Sequence, residues 1–327
     1  MSIPTKSDLA VDQQGTPSYG SLVSELITLV EVGSNAVRCI VASVVPGVGF
    51  QLIEEERVQT RLGGGRPGIL APPAVRATIT AVRRFVRAAQ RNYQSPRILG
   101  VATSAVRDAT NRHLLLDPLQ RDVGVSIRIL SGEEEAQLGA RAALWSLSTR
   151  EGTVLDLGGG SLQLSHIGAG SIVSAASFPL GAVRTTTRFF HHDPPTPQEI
   201  EALRHEVQEH CTNNLLTTAT GSGMIGLGGT VRTLARMHLL NLNRQRSRQG
   251  LVLQRVDITT LREQLDRLPL RQRLRLNGLK PERADIILAG TIVIEEVMTL
   301  GNYRTLTVCT GGVRQGLLLH EVFRQGS

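Results

Sequence analysis

Lysine is almost absent from this chain: Lys6 and Lys280 are the only two among 36 basic residues, and the rest are arginine. Aromatic residues are scarce, at 3 %. No tract interleaves arginine with Phe or Tyr, which excludes a stacking platform for single strands, so no specific nucleic-acid partner is expected. Cysteine is limited to Cys39, Cys211 and Cys309, an odd and widely spaced set without a CxxC. That pattern argues against a disulfide framework or a zinc cluster and suits buried thiols in a reducing cytosol. No apolar run reaches the roughly 20 residues of a membrane span, so no membrane partner is expected. The polar start, Met1–Ser24, lacks the apolar centre of a signal peptide. A flexible tail over residues 1–23 and a cytoplasmic location are therefore expected.

What is present is an ordinary globular balance over 327 residues, 41 % hydrophobic and 20 % charged, enough for two domains. The net charge of +8 favours anionic partners, and arginine's planar fork binds phosphate oxygens in pairs. Strand-length apolar runs flank turn chemistry twice. Leu26–Val30 and Val37–Val41 surround Gly33-Ser34-Asn35, and Thr153–Leu157 and Leu162–Ile167 surround Gly158-Gly159-Gly160. In each case an acidic residue, Glu31 or Asp156, ends the first strand two residues before the glycine. This weak self-similarity suggests duplication of a β-rich α/β unit. A third strand is predicted over Gly49–Arg57, and others over Arg97–Ala102, Val125–Leu130 and Met224–Leu227. Helices are predicted from Pro72, after Thr103-Ser104-Ala105 through Leu119, from Ser131, over Pro197–Thr217, from Gly228 to near His238, and over 257–267, 284–300 and 313–323. Asn241–Arg248 reads as a basic, polar loop.

Three successive glycines let backbone N–H groups converge on an anion, and Ser161 adds a hydroxyl. Gly33-Ser34-Asn35 is the matching half; alone it would be a common turn. Gly226-Leu227-Gly228-Gly229-Thr230 opens a helix, either to expose terminal amides to an anion or to allow close packing. Carboxylates at Glu31 and Asp156 suit Mg²⁺, which takes one or two protein oxygens plus substrate phosphates. Glu133, Glu134 and Glu135 open a helix capped by Ser131, where Glu134 holds the capping-box position. Arg107, in Ala102–Ala109, would clamp a phosphate if it faced one.

These motifs, in this order, resemble the Ppx/GppA phosphatases, which are exopolyphosphatases and guanosine pentaphosphate phosphohydrolases. Glu31–Ala36 is similar to that family's first phosphate loop, D-x-G-S-N-S, and Asp156–Gln163 to D-x-G-G-G-S-x-E. Arg61-Leu62-Gly63, Ala102–Ala109, Leu130–Ala136, Pro179–Arg184, Gly226–Thr230, Arg283–Asp285 and Gly312–Gly316 complete the series. The resemblance implies an α/β fold of two actin-like (ribonuclease H-like) domains of the actin–hexokinase–Hsp70 superfamily, with the site in the interdomain cleft. The expected divisions are 24–139 for the first domain, 140–309 for the second, and 310–327 as a C-terminal helix packing back on the first.

The implied chemistry is hydrolysis of terminal phosphoanhydride bonds, releasing orthophosphate from inorganic polyphosphate. The alternatives are removal of the 5′ phosphate from pppGpp, or a catalytically weak sensor of polyphosphate or guanosine phosphates. Glu134 is expected to orient the attacking water and Arg107 to offset charge. Gly33, Ser34, Asn35, Gly158, Gly159, Gly160, Ser161, Gly229 and Thr230 are expected to hold phosphate. Asp156, Glu31 and Gln163 are expected around Mg²⁺ or another divalent cation. Three residues depart from the pattern: Glu31 for Asp, Ala36 for Ser, and Gln163 for Glu, which together imply weakened metal binding and low or specialised activity. A homodimer is left open.

Overall fold

The computed structural model describes residues 24–93, 96–212 and 223–323. The expected tail over residues 1–23 lies outside them. The chain builds two sheets on one plan. In the first, β1 (Glu25–Val32), β2 (Ala36–Val45) and β3 (Gly49–Gln59) form an antiparallel meander. After helix α1 (Pro72–Asn92), strand β4 (Arg97–Ala102) joins β1 in parallel. Short helices α2 (Ser104–Arg107) and α3 (His113–Pro118) lead to β5 (Ile127–Ile129), giving the order β3-β2-β1-β4-β5. The single helix expected through Leu119 is thus broken. The Asn111 side chain brackets the Leu70 backbone, accepting from its N–H at 2.9 Å and donating to its carbonyl at 3.0 Å, and this pins a turn there.

Helix α4 (Gly132–Leu147) leads into the second sheet. There β6 (Gly152–Leu157), β7 (Leu162–Gly168) and β8 (Ser171–Phe178) repeat the meander. Helices α5 (Ala182–Phe189) and α6 (Pro197–Cys211) follow. The last residues of the helix expected over 197–217 fall outside the described set. Then come β9 (Gly223–Leu227), α7 (Gly228–Asn241), β10 (Val252–Gln254), α8 (Arg255–Asp266), α9 (Leu270–Arg273), α10 (Ile287–Leu300), β11 (Thr305–Val308) and α11 (Val313–Val322). The order is β10-β11-β9-β6-β7-β8, with β9 parallel to both β6 and β11.

Central strands are buried on both faces, so β1 reads as a continuous apolar run rather than an alternation. Val75 and Phe85 of α1 cover one face of the first sheet. Leu138 of α4 and Val313, Leu317 and Leu318 of α11 cover the other. Helix α4 also packs Ala140, Ala143 and Leu144 against Val154 and Ile225 of the second sheet. Helix α11 approaches α4 closely: a Cβ at Gly316 of α11 would fall 2.1 Å from the Leu138 carbonyl oxygen of α4. On the far side of the second sheet, α6, α7, α8 and α10 form the largest core. No described helix is long and apolar enough to cross a membrane.

Candidate active site

The β1–β2 turn and the β6–β7 turn meet tip to tip. A Cβ at Gly159 would lie 3.2 Å from the Asn35 nitrogen, and one at Gly160 would lie 2.4 Å from the hydroxyls of Ser34 and Ser104. A side chain is disfavoured here because the two turns approach closely, not only because of turn geometry. Gly33 and Gly158 donate back within their own turns, to the Ala36 and Ser161 carbonyls. The N–H groups of Ser34, Asn35, Gly159 and Gly160 donate to no described backbone carbonyl. The second turn is fixed from behind by α5, whose first amides bond the carbonyls of Gly158 and Gly159.

Both turns line one cleft, together with Glu31, Arg38, Glu135, Asp156, Gln163, Arg232, Arg283 and Arg314. Each carboxylate there has a different setting. Burial would raise the Glu31 carboxyl, but the guanidiniums of Arg314 and Arg38 outweigh it and hold the group below its ordinary range. Arg314 donates to Glu31 at 2.8 Å, and Arg38 lies 3.6 Å away. Asp156 has no ion-pair partner among the described residues; burial pushes its carboxyl up to about 6, against the more distant pull of Arg232. Burial pushes Glu135 up to about 7, although Arg107 donates to it at 3.1 Å.

Arg283 reaches the cleft through the space left by Gly229, where a Cβ would lie 2.3 Å from its Nη1. Its Nη2 donates to Thr230 Oγ1 at 3.1 Å, while its buried Nε has no partner. Burial, with repulsion from Arg232 and Arg38, lowers its pKa to about 9. Burial likewise lowers Arg232 to about 10. Neither arginine has a carboxylate within ion-pair distance among the described residues, so the cleft holds positive charge that a bound anion would neutralise.

Several expected site residues are brought together: Gly33, Ser34, Asn35, Gly158, Gly159, Ser161, Gly229, Glu31, Asp156 and Gln163 all line the cleft. Four are placed differently. Glu134 does not face the cleft. It closes the capping box, accepting from the Ser131 N–H at 2.8 Å, pairs with Arg128 at 2.6 Å, and keeps its side chain 44 % exposed on an outer groove. Its successor Glu135, only 6 % exposed, turns inward instead, because one residue of α-helix rotates the side chain by about 100°. Arg107 does not line the cleft but stands behind Glu135, bonding it and the Leu130 carbonyl. Gly160 is packed against Ser34 and Ser104, and Thr230 is fully buried as the acceptor for Arg283.

Sequence reading did not assign Glu135, Arg38, Arg232, Arg283 or Arg314 to the site. A signal existed for Glu135: once Glu134 was assigned to the cap, it was not available to face inward. Arg283 and Arg314 stood inside recognised motifs and Arg38 on the strand after the first turn, but nothing local showed that they converge.

The fit to a divalent cation rests on the donors present. Among the described residues no group of three or more His, Cys, Asp or Glu is placed to share a metal ion. Glu31 is committed to arginine. Gln163 is a neutral amide whose Nε2 donates to Ser161 at 2.7 Å and Ser177 at 3.0 Å. Asp156 is the carboxylate left unpaired in the cleft. This set fits a cation held mainly by substrate oxygens and one protein carboxylate, as Mg²⁺ commonly is at phosphate sites.

The model of the Ppx/GppA phosphatase family matches residues 40–325. The chain is 31 % identical over 289 residues to exopolyphosphatase 2 of Mycobacterium tuberculosis, covering 83 % of this chain and 89 % of that one. It is 26 % identical to exopolyphosphatase 1 of Mycobacterium leprae, covering 90 % and 88 %. The crystal structure of the Aquifex aeolicus Ppx/GppA family member superposes with a TM-score of 0.77 at 26 % identity, covering 93 % of this chain and all of that one. An exopolyphosphatase structure from Cytophaga hutchinsonii, 23 % identical, shares the fold with a TM-score of 0.85, covering 91 % and 98 %. With its two mixed α/β sheets in the actin-like arrangement, the chain belongs to the Ppx/GppA phosphatase family.

Proposed function

We propose that this chain hydrolyses the terminal phosphoanhydride bond of inorganic polyphosphate, releasing orthophosphate. One observation carries the reading: Glu135, a buried carboxylate with a pKa near 7, opens into a cleft where unpaired hairpin amides and unneutralised arginines surround the same space. The terminal phosphate lies against the N–H groups of Ser34, Asn35 and Gly159 and the hydroxyl of Ser161. Glu135 takes a proton as water attacks the terminal phosphorus. The bridging P–O bond breaks, and the shortened chain leaves with the bridging oxygen. Arg38, Arg232 and Arg283 offset the developing charge, since phosphoryl transfer depends mostly on positioning and electrostatics. Arg107 holds Glu135 in place. A divalent cation carried in on the phosphate oxygens, with Asp156 as its protein ligand, would supply further charge neutralisation.

Polyphosphate is favoured over pppGpp because, among the described residues, no aromatic side chain lines the cleft to stack a guanine. The cysteines, all buried and free, suit work in the cytoplasm.

The test is orthophosphate release from polyphosphate and from pppGpp, with and without Mg²⁺. Release from polyphosphate is expected, and Glu135→Gln should lower it roughly 10²–10⁴-fold. Glu134→Gln should leave it unchanged. A Glu135→Gln enzyme as fast as the parent, or release from pppGpp alone, would overturn the reading.

A further inference from the structure

From Gly228 to Val256 the chain contains no Asp, no Glu and no aromatic residue, yet it carries six arginines. This stretch is α7, the loop after it, β10 and the first two residues of α8. We propose that it forms a binding track outside the cleft for a long inorganic phosphate chain, a proposal that rests on the polyphosphate reading above.

The track starts inside the site. Arg232 is half-buried and lines the cleft, and Arg236, four residues on and exposed, lies on the same face of α7, about 6 Å further along the helix. The loop then returns. Its far end is clamped at the cleft edge by Gln249, whose Oε1 accepts from both the Thr310 N–H and the Thr310 hydroxyl at 2.7 Å. Gln249 also donates to the Ser146 carbonyl at 3.1 Å. The Thr310 carbonyl in turn accepts from Arg232 at 3.4 Å, and Gly311 and Gly312, next along the chain, line the cleft. Arg244, Arg246 and Arg248 are therefore carried on a loop tied at its end to the same threonine that Arg232 touches. All three are exposed, and none forms an ion pair among the described residues.

Some surface arginines elsewhere meet a glutamate, as Arg84, Arg97, Arg128 and Arg188 do; others have no ion pair, but they do not stand in an acid-free run that starts in the cleft. The run after Gly228 has no local acid to meet. Each free fork can take a phosphate in bidentate fashion. A linear phosphate polymer offers one such group after another, whereas a short oligophosphate is consumed within the cleft. A nucleic acid would match the charge, but the absence of aromatics leaves its bases without a stacking surface.

The test uses the full chain with Arg244→Gln, Arg246→Gln and Arg248→Gln combined, all in an exposed loop. Hydrolysis of tripolyphosphate is compared with hydrolysis of chains several hundred phosphates long. The expected result is a KM for the long chain raised roughly ten-fold, with a salt dependence shallower by about two log units per log salt, as for the loss of three phosphate contacts. The kcat/KM for tripolyphosphate should stay within about two-fold. Equal losses on both substrates, or no loss on either, would overturn the track. So would displacement of long polyphosphate from the parent by single-stranded RNA at equal charge, which would assign the surface to nucleic acid. Filter retention of long polyphosphate by Glu135→Gln, with and without the three loop substitutions, reads the track separately from turnover. Weaker retention in the combined variant supports it even where no substrate is hydrolysed, and equal retention sinks it.

Discussion

The two hairpins share a backbone plan but surround their carboxylates differently. In the first, Glu31 is tied to Arg314, with Arg38 beside it, and these guanidiniums hold its carboxyl below the ordinary range. In the second, Asp156 has no such partner and is pushed up to about 6 by burial. The two turns thus differ in charge rather than in shape. One copy spends its acid on holding α11 against the first sheet. The other keeps its acid available to the cleft. The difference shows that a motif's backbone can persist while its side-chain role changes with the residues packed around it.

Breaking the first hairpin's ion pair should have the largest effect. Arg314→Ala leaves Glu31 buried with a weaker partner and should cost about 3–5 kcal/mol, read from urea unfolding. Adding Glu31→Gln to it should recover part of that loss, because the buried carboxylate left without Arg314 is removed, while Arg38 loses its ion-pair partner. A urea midpoint as low in the double variant as in Arg314→Ala would show that packing, not charge, dominates.

Contact between the hairpins comes next. A Cβ at Gly181 would fall 2.3 Å from the backbone of Gly160 and Ser161, whereas one at Gly160 meets the side chains of Ser34 and Ser104. Gly181→Ala should therefore destabilise by about 3 kcal/mol, the upper end for overpacking, and Gly160→Ala by less. Combining Gly160→Ala with Ser34→Ala should restore part of the melting temperature, while nothing comparable relieves Gly181→Ala.

The pH dependence should separate the two acids by sign. Asp156 has a folded pKa above its unfolded one, so the native state holds more protons between about pH 4 and 6. Stability from this group falls as pH rises through that window, and Asp156→Asn should gain in melting temperature over the parent above pH 6 but not below pH 4. Glu31 is lowered, so it stabilises above its unfolded pKa, and that contribution is lost as pH falls through the folded value. Glu31→Gln should therefore lose most at neutral pH. Melting curves from pH 3 to 8 that shift in the same direction for both variants would contradict the contrast.

The smallest effect belongs to Glu134. Glu134→Gln disturbs the capping box and an exposed pair with Arg128, so about 1 kcal/mol or less is expected, with turnover unchanged.

Much of this was legible along the chain. Both hairpins, the Ser131 cap, the glycine-rich start of α7 and the alternation of strands and helices follow from local chemistry: turn residues, apolar periodicity and capping. The order of motifs pointed to the family and so to the actin-like arrangement. Two things were not legible. Glu134 and Glu135 are neighbours of identical type, and only the packing of α4 between two sheets decides which of them is buried. Arg38, Arg232, Arg283 and Arg314 belong to separate elements, and their convergence depends on how those elements pack across the cleft. Local composition determines which backbone turns can hold an anion. Which charges surround that anion is decided by long-range packing, because the partners come from distant parts of the chain and no short-range periodicity records their meeting.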